Sequence, residues 1–493
     1  MDLPHLRDCG TGRRIQGAVS MIRQLLVARA DLFPTIDPKK DNPNQFMLEV
    51  GQQLRGLLGG FSKLTVLGVP SADWELSLTQ TVPDPLPSPD QIVISVSLDD
   101  LSSLGEFRKA VADANDRGGA QPPFPGVGAD LSLGGSEYFC PTNVDQILFG
   151  DRNAAAALTQ SQILQQQGLT GKNVNVVVID EGFDRNLVRN FGGGLIYHPV
   201  MPPGIAAIPP GTTKRGHGLM VVRNIFDAAP DATFYDVPLI PPRISNVNGF
   251  VANALGAFVQ LLITIAFLRR YPQWSGPWVL VNAWSIFDRS TEHPLGDYTQ
   301  NPNHPLNLVV DAMVTGGSDF VFAAGNCGQF CPDRRCGERD VGPGNSIFGA
   351  NSLRRVLTVG AARTDARWMG NSSQGPGQMS DHQEKPDLCA PSFFRENDDA
   401  SLGNLSRPFV GDTGTPYIAS TGTSAACGVA AGIVAAIRSG WDTSRVSPSN
   451  LIAILNQGAL KTQGPNWNRQ IGHGIINVET TWPLLPQPPM PAA

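Results

Sequence analysis

Four polar residues that lie far apart in the chain have the side chains that a serine nucleophile requires. They are Asp180, His217, Asn326 and Ser424. Serine becomes a good nucleophile when a histidine removes its proton, and a carboxylate on the other ring nitrogen fixes the tautomer and stabilises the imidazolium. An asparagine amide can donate to the oxyanion that forms when the serine attacks a carbonyl. These residue types predict acyl transfer through a serine, provided that the fold brings them together.

Each of these residues stands at the end of a predicted strand or at the start of a predicted helix. Asp180 ends the apolar run NVNVVVIDEG just before Gly182, and Asn326 ends DFVFAAGN. His217 begins HGLMVVRNI, and Ser424 precedes a run of small and apolar residues that is typical of a buried helix. Catalytic groups of parallel sheets gather beyond the carboxyl ends of the strands. We therefore expect the four side chains to converge at one rim of such a sheet.

The stretch 151–481 has the pattern of an α/β domain. Helical stretches separate near-continuous apolar runs of strand length, and these runs cover 173–182, 232–240, 278–286, 319–326 and 356–362. Strands that are apolar on both faces indicate a sheet covered by helices on both sides. We predict a doubly wound, mostly parallel sheet with helices on both faces.

One segment, 251–268, is apolar and long enough to be considered as a membrane span. However, Asn253 and Gln260 interrupt it, and an apolar strand follows after a short turn. A helix followed by a strand is what a crossover connection of a parallel sheet requires. We predict a buried helix here, and no membrane partner.

Residues 1–150 form a smaller region of mixed α and β character. Helices are predicted at 15–32, 44–60 and 102–115, and strands at 63–69 and 91–98. The Gly- and Pro-rich stretch 118–135 is the predicted linker to the second domain. At the other end of the chain, the Pro-rich tail 482–493 is predicted to be extended.

The composition excludes several classes of partner. The chain has 493 residues, with 37 Lys and Arg against 43 Asp and Glu, and a formal charge of −6. Because the sequence has no basic cluster, we expect neither a nucleic-acid partner nor a polybasic membrane anchor. Asp2, Arg7 and Asp8 stand where a signal peptide has its apolar core. We therefore predict a cytoplasmic location, or secretion if the start of the chain is truncated.

The order Asp, His, Ser along a parallel sheet is that of the subtilisin type. Four short motifs occur in this order, and they are Asp180-Glu181-Gly182, His217–Val221, Ala323–Asn326 and Gly422–Ala426. On these motifs, the sequence resembles the subtilisin-like serine proteases, or subtilases, over roughly residues 160–480.

The resemblance implies a serine endopeptidase that cleaves proteins or peptides without a cofactor. Ser424 would attack, His217 would act as base and then as acid, Asp180 would orient it, and Asn326 would hold the oxyanion. The substrate would bind as an extended strand against Trp284, Ser285, Ala323, Ala324 and Gly325. Two alternatives stay open: a cytoplasmic peptide-maturation protease or ligase whose acyl-enzyme is intercepted by an amine, and a latent protease fold used as a binding module.

The sequence departs from the family pattern at three positions beside these residues. Glu181 replaces a small hydroxyl residue, and this second carboxylate is expected to alter the pH profile of the triad. Gly428 stands where the family generally has proline, and Ala425 where it often has methionine, which predicts a slightly roomier site. None of these departures removes a catalytic group.

We assign no metal site to the cysteines or to the acidic residues of the sequence. For Cys327, Cys331 and Cys336, we favour reduced thiols over a local disulfide, and a disulfide over a zinc site. Cys427 is predicted to be a small buried hydrophobe. The acidic cluster 396–399 could bind calcium, as loops in the family often do, but a solvated loop is favoured.

Residues 1–150 allow two interpretations. The resemblance implies a propeptide-like domain that assists folding and blocks the site until it is cleaved, and the stretch 118–135 would suit cleavage. Alternatively, the region is a permanent recognition or adaptor domain that binds a regulator or the catalytic domain. Its length exceeds that of a usual propeptide, which favours recognition.

Overall fold

The computed structural model shows an N-terminal α+β region followed by a larger α/β part built on a mainly parallel sheet. This confirms the fold class predicted from the alternation of apolar runs and helices. The structure describes residues 22–33, 43–80, 89–136, 148–197, 208–214, 216–240, 249–395, 409–410, 416–417 and 419–487.

The N-terminal region has a four-stranded antiparallel sheet in the order β2-β4-β1-β5, covered by two helices. The helices are α1 (Pro43–Leu57) and α2 (Ser102–Gly118). The strands of this part of the chain are β1 (Ile22–Arg29), β2 (Leu64–Gly68), β3 (Trp74–Leu78), β4 (Gln91–Leu98), β5 (Gly126–Ala129) and β6 (Ser132–Gly135). Strands β3 and β6 pair with the larger part instead of the small sheet.

The helix predicted at 15–32 is wrong within the described residues, because 22–29 form the central strand β1. Leu26 packs into the core of the N-terminal region, whereas Leu25 and Val27 pack against the larger part. A strand that is apolar on both faces lacks the alternation of polar and apolar residues that marks a strand in sequence. The predicted linker is also structured, since it contains β5 and β6.

The main sheet of the larger part has the strand order β15-β14-β13-β11-β7-β9-β8-β3. Its pairs are parallel except for the edge pair of β3 and β8. The strands of this part are β7 (Asn175–Asp180), β8 (Asn190–Tyr197), β9 (Thr233–Pro238), β10 (Gly249–Phe250), β11 (Trp278–Asn282), β12 (Trp284–Ser285), β13 (Ser318–Ala323), β14 (Leu357–Ala362), β15 (Leu388–Pro391), β16 (Phe394–Arg395), β17 (Phe409–Val410), β18 (Pro416–Tyr417) and β19 (Ala419–Ser420). The helices are α3 (Arg152–Thr159), α4 (Gln162–Gln166), α5 (His217–Ala228), α6 (Val251–Leu268), α7 (Pro305–Thr315), α8 (Gly422–Arg438), α9 (Pro448–Gly458) and α10 (Val478–Thr481).

Helices cover both faces of this sheet. On one face, α5 and α8 pack against Val176 and Val178 of β7, and on the other, α6 and α7 pack against Val177 and Ile179. Among the described residues, α6 is the one helix that is long and apolar enough to cross a membrane, but 67% of it is buried inside the protein. The prediction of a buried helix at 251–268 is therefore confirmed.

Helices α5 and α8 approach each other closely at Gly428. A Cβ atom at this position would lie 2.8 Å from the carbonyl oxygen of Val221 and 2.9 Å from Cβ of Asn224. The absence of a side chain at 428 therefore lets the helix that begins at His217 contact the helix that carries Ser424.

The N-terminal region is packed into the larger part through both backbone and side chains. Strand β3 extends the main sheet beside β8, and Leu25 and Val27 share a core with α6 and α7. Asp130 accepts a hydrogen bond from Arg23 at 2.9 Å and another from the N–H of Ala252, in the first turn of α6, at 2.9 Å. Because that N–H has no partner within the helix, Asp130 also caps α6.

The predicted extended tail begins with a 3-10 turn at Trp482–Leu484, and Leu485 is buried against the main core. Residues 488–493 lie outside the described residues.

Candidate active site

Asp180 and His217 are in direct contact. Asp180 is the last residue of β7, and His217 is the first residue of α5. Both side chains are fully buried, and Nδ1 of His217 lies 2.6 Å from Oδ1 of Asp180. When Nδ1–H donates to this carboxylate, Nε2 is the basic ring nitrogen, which is the tautomer that a general base needs.

Two glycines let these residues meet. Gly182 has a φ of +94°, which turns the chain directly after the strand. A Cβ atom at position 218 would lie 2.5 Å from the carbonyl oxygen of Gly182 and 3.2 Å from Oδ1 of Asp180. Any side chain at 218 would therefore separate the helix from the end of the strand.

Glu181 supports the start of the histidine helix. Its side chain is buried, and Oε2 accepts a hydrogen bond from the backbone N–H of His217 at 3.1 Å. The N–H groups in the first turn of a helix have no partner within the helix, and a negative charge there is stabilising. The Glu181 carboxylate, which departs from the expected motif, therefore contacts the start of the helix that carries His217.

A carbonyl group of the chain itself lies between the two predicted oxyanion donors. Nδ2 of Asn326 donates to the carbonyl oxygen of Ser136 at 2.5 Å, and the N–H of Ser424 donates to the same oxygen at 3.4 Å. Oδ1 of Asn326 accepts from the N–H and the hydroxyl of Thr423 at 3.0 and 3.1 Å, which aims Nδ2 at Ser136. This is the arrangement that stabilises a carbonyl oxygen as it becomes an oxyanion.

Ser424 lies buried in the first turn of α8, where the sequence predicted it. Its hydroxyl donates to the carbonyl oxygen of Ala283 at 2.9 Å. To act as a nucleophile, the hydroxyl must turn about its Cα–Cβ bond and donate to Nε2 of His217. Catalytic hydrogen bonds often form only in the reacting complex, so this orientation is compatible with catalysis.

Residues 132–136 occupy the cleft beside these groups as an extended strand. β6 is the middle strand between β10 and β12, with Gly135 opposite Trp284 and Gly134 opposite Ser285. The N–H of Ser136 also donates to the carbonyl oxygen of Ala283, at 2.8 Å. The predicted substrate strand Trp284–Ser285 is thus paired with a segment of the same chain.

The other predicted substrate-binding residues make different contacts. Ala323 ends β13, and the N–H of Ala324 donates to the carbonyl of Val359 in β14 at 2.9 Å. The N–H of Gly325 donates to the hydroxyl of Thr423 at 3.1 Å. These bonds join Ala324 to β14 and Gly325 to α8, next to the cleft.

The segment in the cleft was not predicted from the sequence. Residues 132–135 of this segment end the stretch interpreted as a linker, and Ser136 follows that stretch directly. The available signal was a run of small residues that follows a Gly- and Pro-rich stretch, together with the propeptide that the resemblance implied.

Comparison with protein families matches residues 171–474, more than half of the chain, to the subtilase family. The chain belongs to the subtilase family. It is therefore a serine protease of an endopeptidase family with the α/β subtilisin fold, as the motifs predicted. A comparison with curated proteins found no match.

The subtilase has a further buried carboxyl group near this site, that of Asp236 on β9, which the sequence did not predict. Its Oδ2 accepts from the N–H groups of Gly211 at 2.8 Å and Phe183 at 3.3 Å, and Oδ1 has no hydrogen-bond partner among the described residues. Burial raises the pKa of Asp236 to about 7, and the charge of Asp180 adds to the rise. Below that pH the carboxyl is neutral and places no second charge near Asp180.

A disulfide closes the loop that follows Asn326 in the subtilase. It joins Cys327 to Cys336, so the expectation of reduced thiols is wrong for these two residues. Cys331 is exposed, and Cys427 is buried in the main core as predicted. Within the residues that the structure describes, no cluster of His, Cys, Asp or Glu could hold a metal ion. The acidic cluster 396–399 lies outside them.

Proposed function

We propose that this subtilase is an endopeptidase in which Ser424 is the nucleophile, His217 the general base and acid, Asp180 its orienting carboxylate and Asn326 an oxyanion donor. One observation carries the proposal. The carbonyl oxygen of Ser136 accepts from both predicted oxyanion donors while its peptide runs as a strand beside β12. A peptide bond held in this way is presented to the serine.

The reaction begins when the hydroxyl of Ser424 turns from Ala283 to Nε2 of His217. Oγ bonds to the carbonyl carbon while its proton passes to Nε2, and Asp180 stabilises the imidazolium. The charge on the carbonyl oxygen is stabilised by Asn326 and by the N–H of Ser424. The C–N bond then breaks as His217 gives its proton to the leaving amine. Finally, a water that His217 deprotonates releases the acyl group and restores the serine.

We propose that the first bond cleaved is Ser136–Glu137 of the chain itself. The preceding residues already lie in the cleft, and the N-terminal region is packed against α6 and α7. In this proposal, the N-terminal region is a substrate-like inhibitor of its own protease. The geometry thus supports the propeptide-like interpretation over the adaptor interpretation that its length favoured.

Intact-mass measurement of the purified wild type beside Ser424→Ala tests this proposal. The wild type is expected to split after Ser136 and to react with a fluorophosphonate probe at Ser424, whereas Ser424→Ala stays whole and unlabelled. Ser275→Ala, which changes an exposed serine, should behave as the wild type. A folded wild type that neither splits nor reacts would refute the proposal.

Other substrates are proposed to be proteins or peptides, since an extended strand is recognised mainly through its backbone. The Cys327–Cys336 disulfide supports an oxidising compartment, in contrast to the cytoplasmic location predicted from the first residues. Alkylation of the thiols in intact cells, followed by peptide mapping, distinguishes the two locations.

A further inference from the structure

We propose that Arg335 is a specificity residue of this protease, which selects glycine at the third position before the cleaved bond. The expected substrates carry an apolar residue, two glycines and a serine before that bond. The inference rests on the proposed function, because it takes residues 133–136 as a bound substrate. Arg335 lies in the disulfide-closed loop between Cys327 and Cys336.

Arg335 lies directly over the peptide in the cleft. Its Nη2 donates to the carbonyl oxygen of Gly135 at 2.9 Å. A Cβ atom at position 134 would lie 2.8 Å from Nη1 of Arg335 and 3.7 Å from a ring carbon of Phe287. Both glycines lie in strand β6, so space, and not backbone conformation, is what requires glycine at 134.

The guanidinium is held in place from several sides. Nε and Nη2 of Arg335 donate to the two carboxylate oxygens of Asp333, each at 2.9 Å, and the guanidinium lies 3.8 Å from the ring centre of Phe287. Asp333 is held next to Asn326, because its N–H donates to the carbonyl oxygen of Asn326 at 2.9 Å. A flexible side chain could otherwise move aside at little cost, but here a larger third residue would have to break these contacts.

The neighbouring positions complete the recognition sequence. A Cβ at position 135 would lie 3.1 Å from Nδ1 of His217, so the second residue before the bond must also be small. Leu133 is buried in the core that includes α6, which favours an apolar fourth residue. The hydroxyl of Ser136 contacts that of Ser285 at 2.9 Å, which suits a small hydroxyl residue next to the bond.

The test compares two quenched fluorescent peptides, with Leu-Gly-Gly-Ser-Glu or Leu-Ala-Gly-Ser-Glu at the cleavage site, on the self-processed enzyme. Displacing a charge-assisted hydrogen bond should give the glycine peptide an advantage of about tenfold to a hundredfold in kcat/KM. Arg335→Ala should lose about tenfold on the glycine peptide, and its ratio between the two peptides should fall close to one. Arg339→Ala, which removes an exposed arginine shortly after the loop, should keep the wild-type ratio.

A second readout uses the chain's own bond and needs no added peptide. Gly134→Ala should slow self-cleavage when Arg335 is present, but it should cause no further slowing in an Arg335→Ala background. An unchanged ratio in Arg335→Ala, or an equal slowing by Gly134→Ala with and without Arg335, refutes the role of Arg335 if a fluorophosphonate still labels Ser424. If Ser424 of the folded wild type is not labelled, the proposed function itself fails, and the inference fails with it.

Discussion

The replacement Asn326→Ala tests the site most directly, because it removes one of two donors to a single carbonyl oxygen. The remaining donor, the N–H of Ser424, lies 3.4 Å from that oxygen, beyond the usual range for an N–H···O bond. Loss of one oxyanion donor in serine proteases typically costs about 2.7–4 kcal/mol, or roughly 10²–10³ in rate. Since Asn326 holds the closer contact, we expect the upper part of this range for self-cleavage.

The assay follows the rate of cleavage after Ser136 by mass spectrometry, with Asn303→Ala, an exposed asparagine, as the control. Truncation of Asn326 also leaves the N–H and the hydroxyl of Thr423 without their acceptor, which should cost about 1–3 kcal/mol of stability. Stability is therefore measured separately, with both variants placed in a Ser424→Ala background that cannot cleave itself. A rate loss below about tenfold in folded Asn326→Ala would contradict the role given to this amide.

Three further predictions concern the surroundings of the site. The pKa of Asp236 is higher in the folded state, about 7, than in the unfolded chain, so the folded protein loses stability as pH rises from about 4 to about 7. Asp236→Asn, made in the Ser424→Ala background, should remove this loss. The free energy of unfolding measured against pH should therefore favour the Asn variant at pH 8 by at most about 4 kcal/mol, and equal pH curves would contradict this. Gly428→Ala should lower the free energy of unfolding by about 1–3 kcal/mol in denaturant titration, because its Cβ would lie 2.8 Å from the backbone of α5. Gly56→Ala, whose Cβ would point into open space, should not lower it. After self-cleavage, the cut end at Ser136 should leave the cleft while β3 stays hydrogen-bonded into the main sheet, so the two fragments should elute together in size-exclusion chromatography, and separate elution would contradict retention.

The sequence predicted the elements around the proposed triad because each gives a strong local signal. Buried parallel strands such as 175–180 are apolar throughout, and the polar residue that ends each one stands out. The local pattern therefore places Asp180, His217, Asn326 and Ser424 at strand ends and helix starts. Their order along the chain then pointed to the subtilases.

Features that depend on distant contacts could not be predicted in this way. β1 is apolar on both faces because one face meets the catalytic part, and that contact is not visible in the local pattern. Residues 132–136 include two glycines and two serines, which give little local signal, and their place in the cleft follows largely from backbone pairing. The raised pKa of Asp236 and the contact of Arg335 with Gly135 likewise arise from neighbours that are far away in sequence.

Strand β3 has a consequence for how the protein can be produced. β3 is synthesised before β8, and it pairs with the edge of β8 that would otherwise be free. Without it, β8 would present a row of unsatisfied backbone groups to solvent, and such rows recruit strands from other molecules. A catalytic part expressed without residues 22–136 is therefore expected to aggregate, even though all four proposed catalytic side chains would be present.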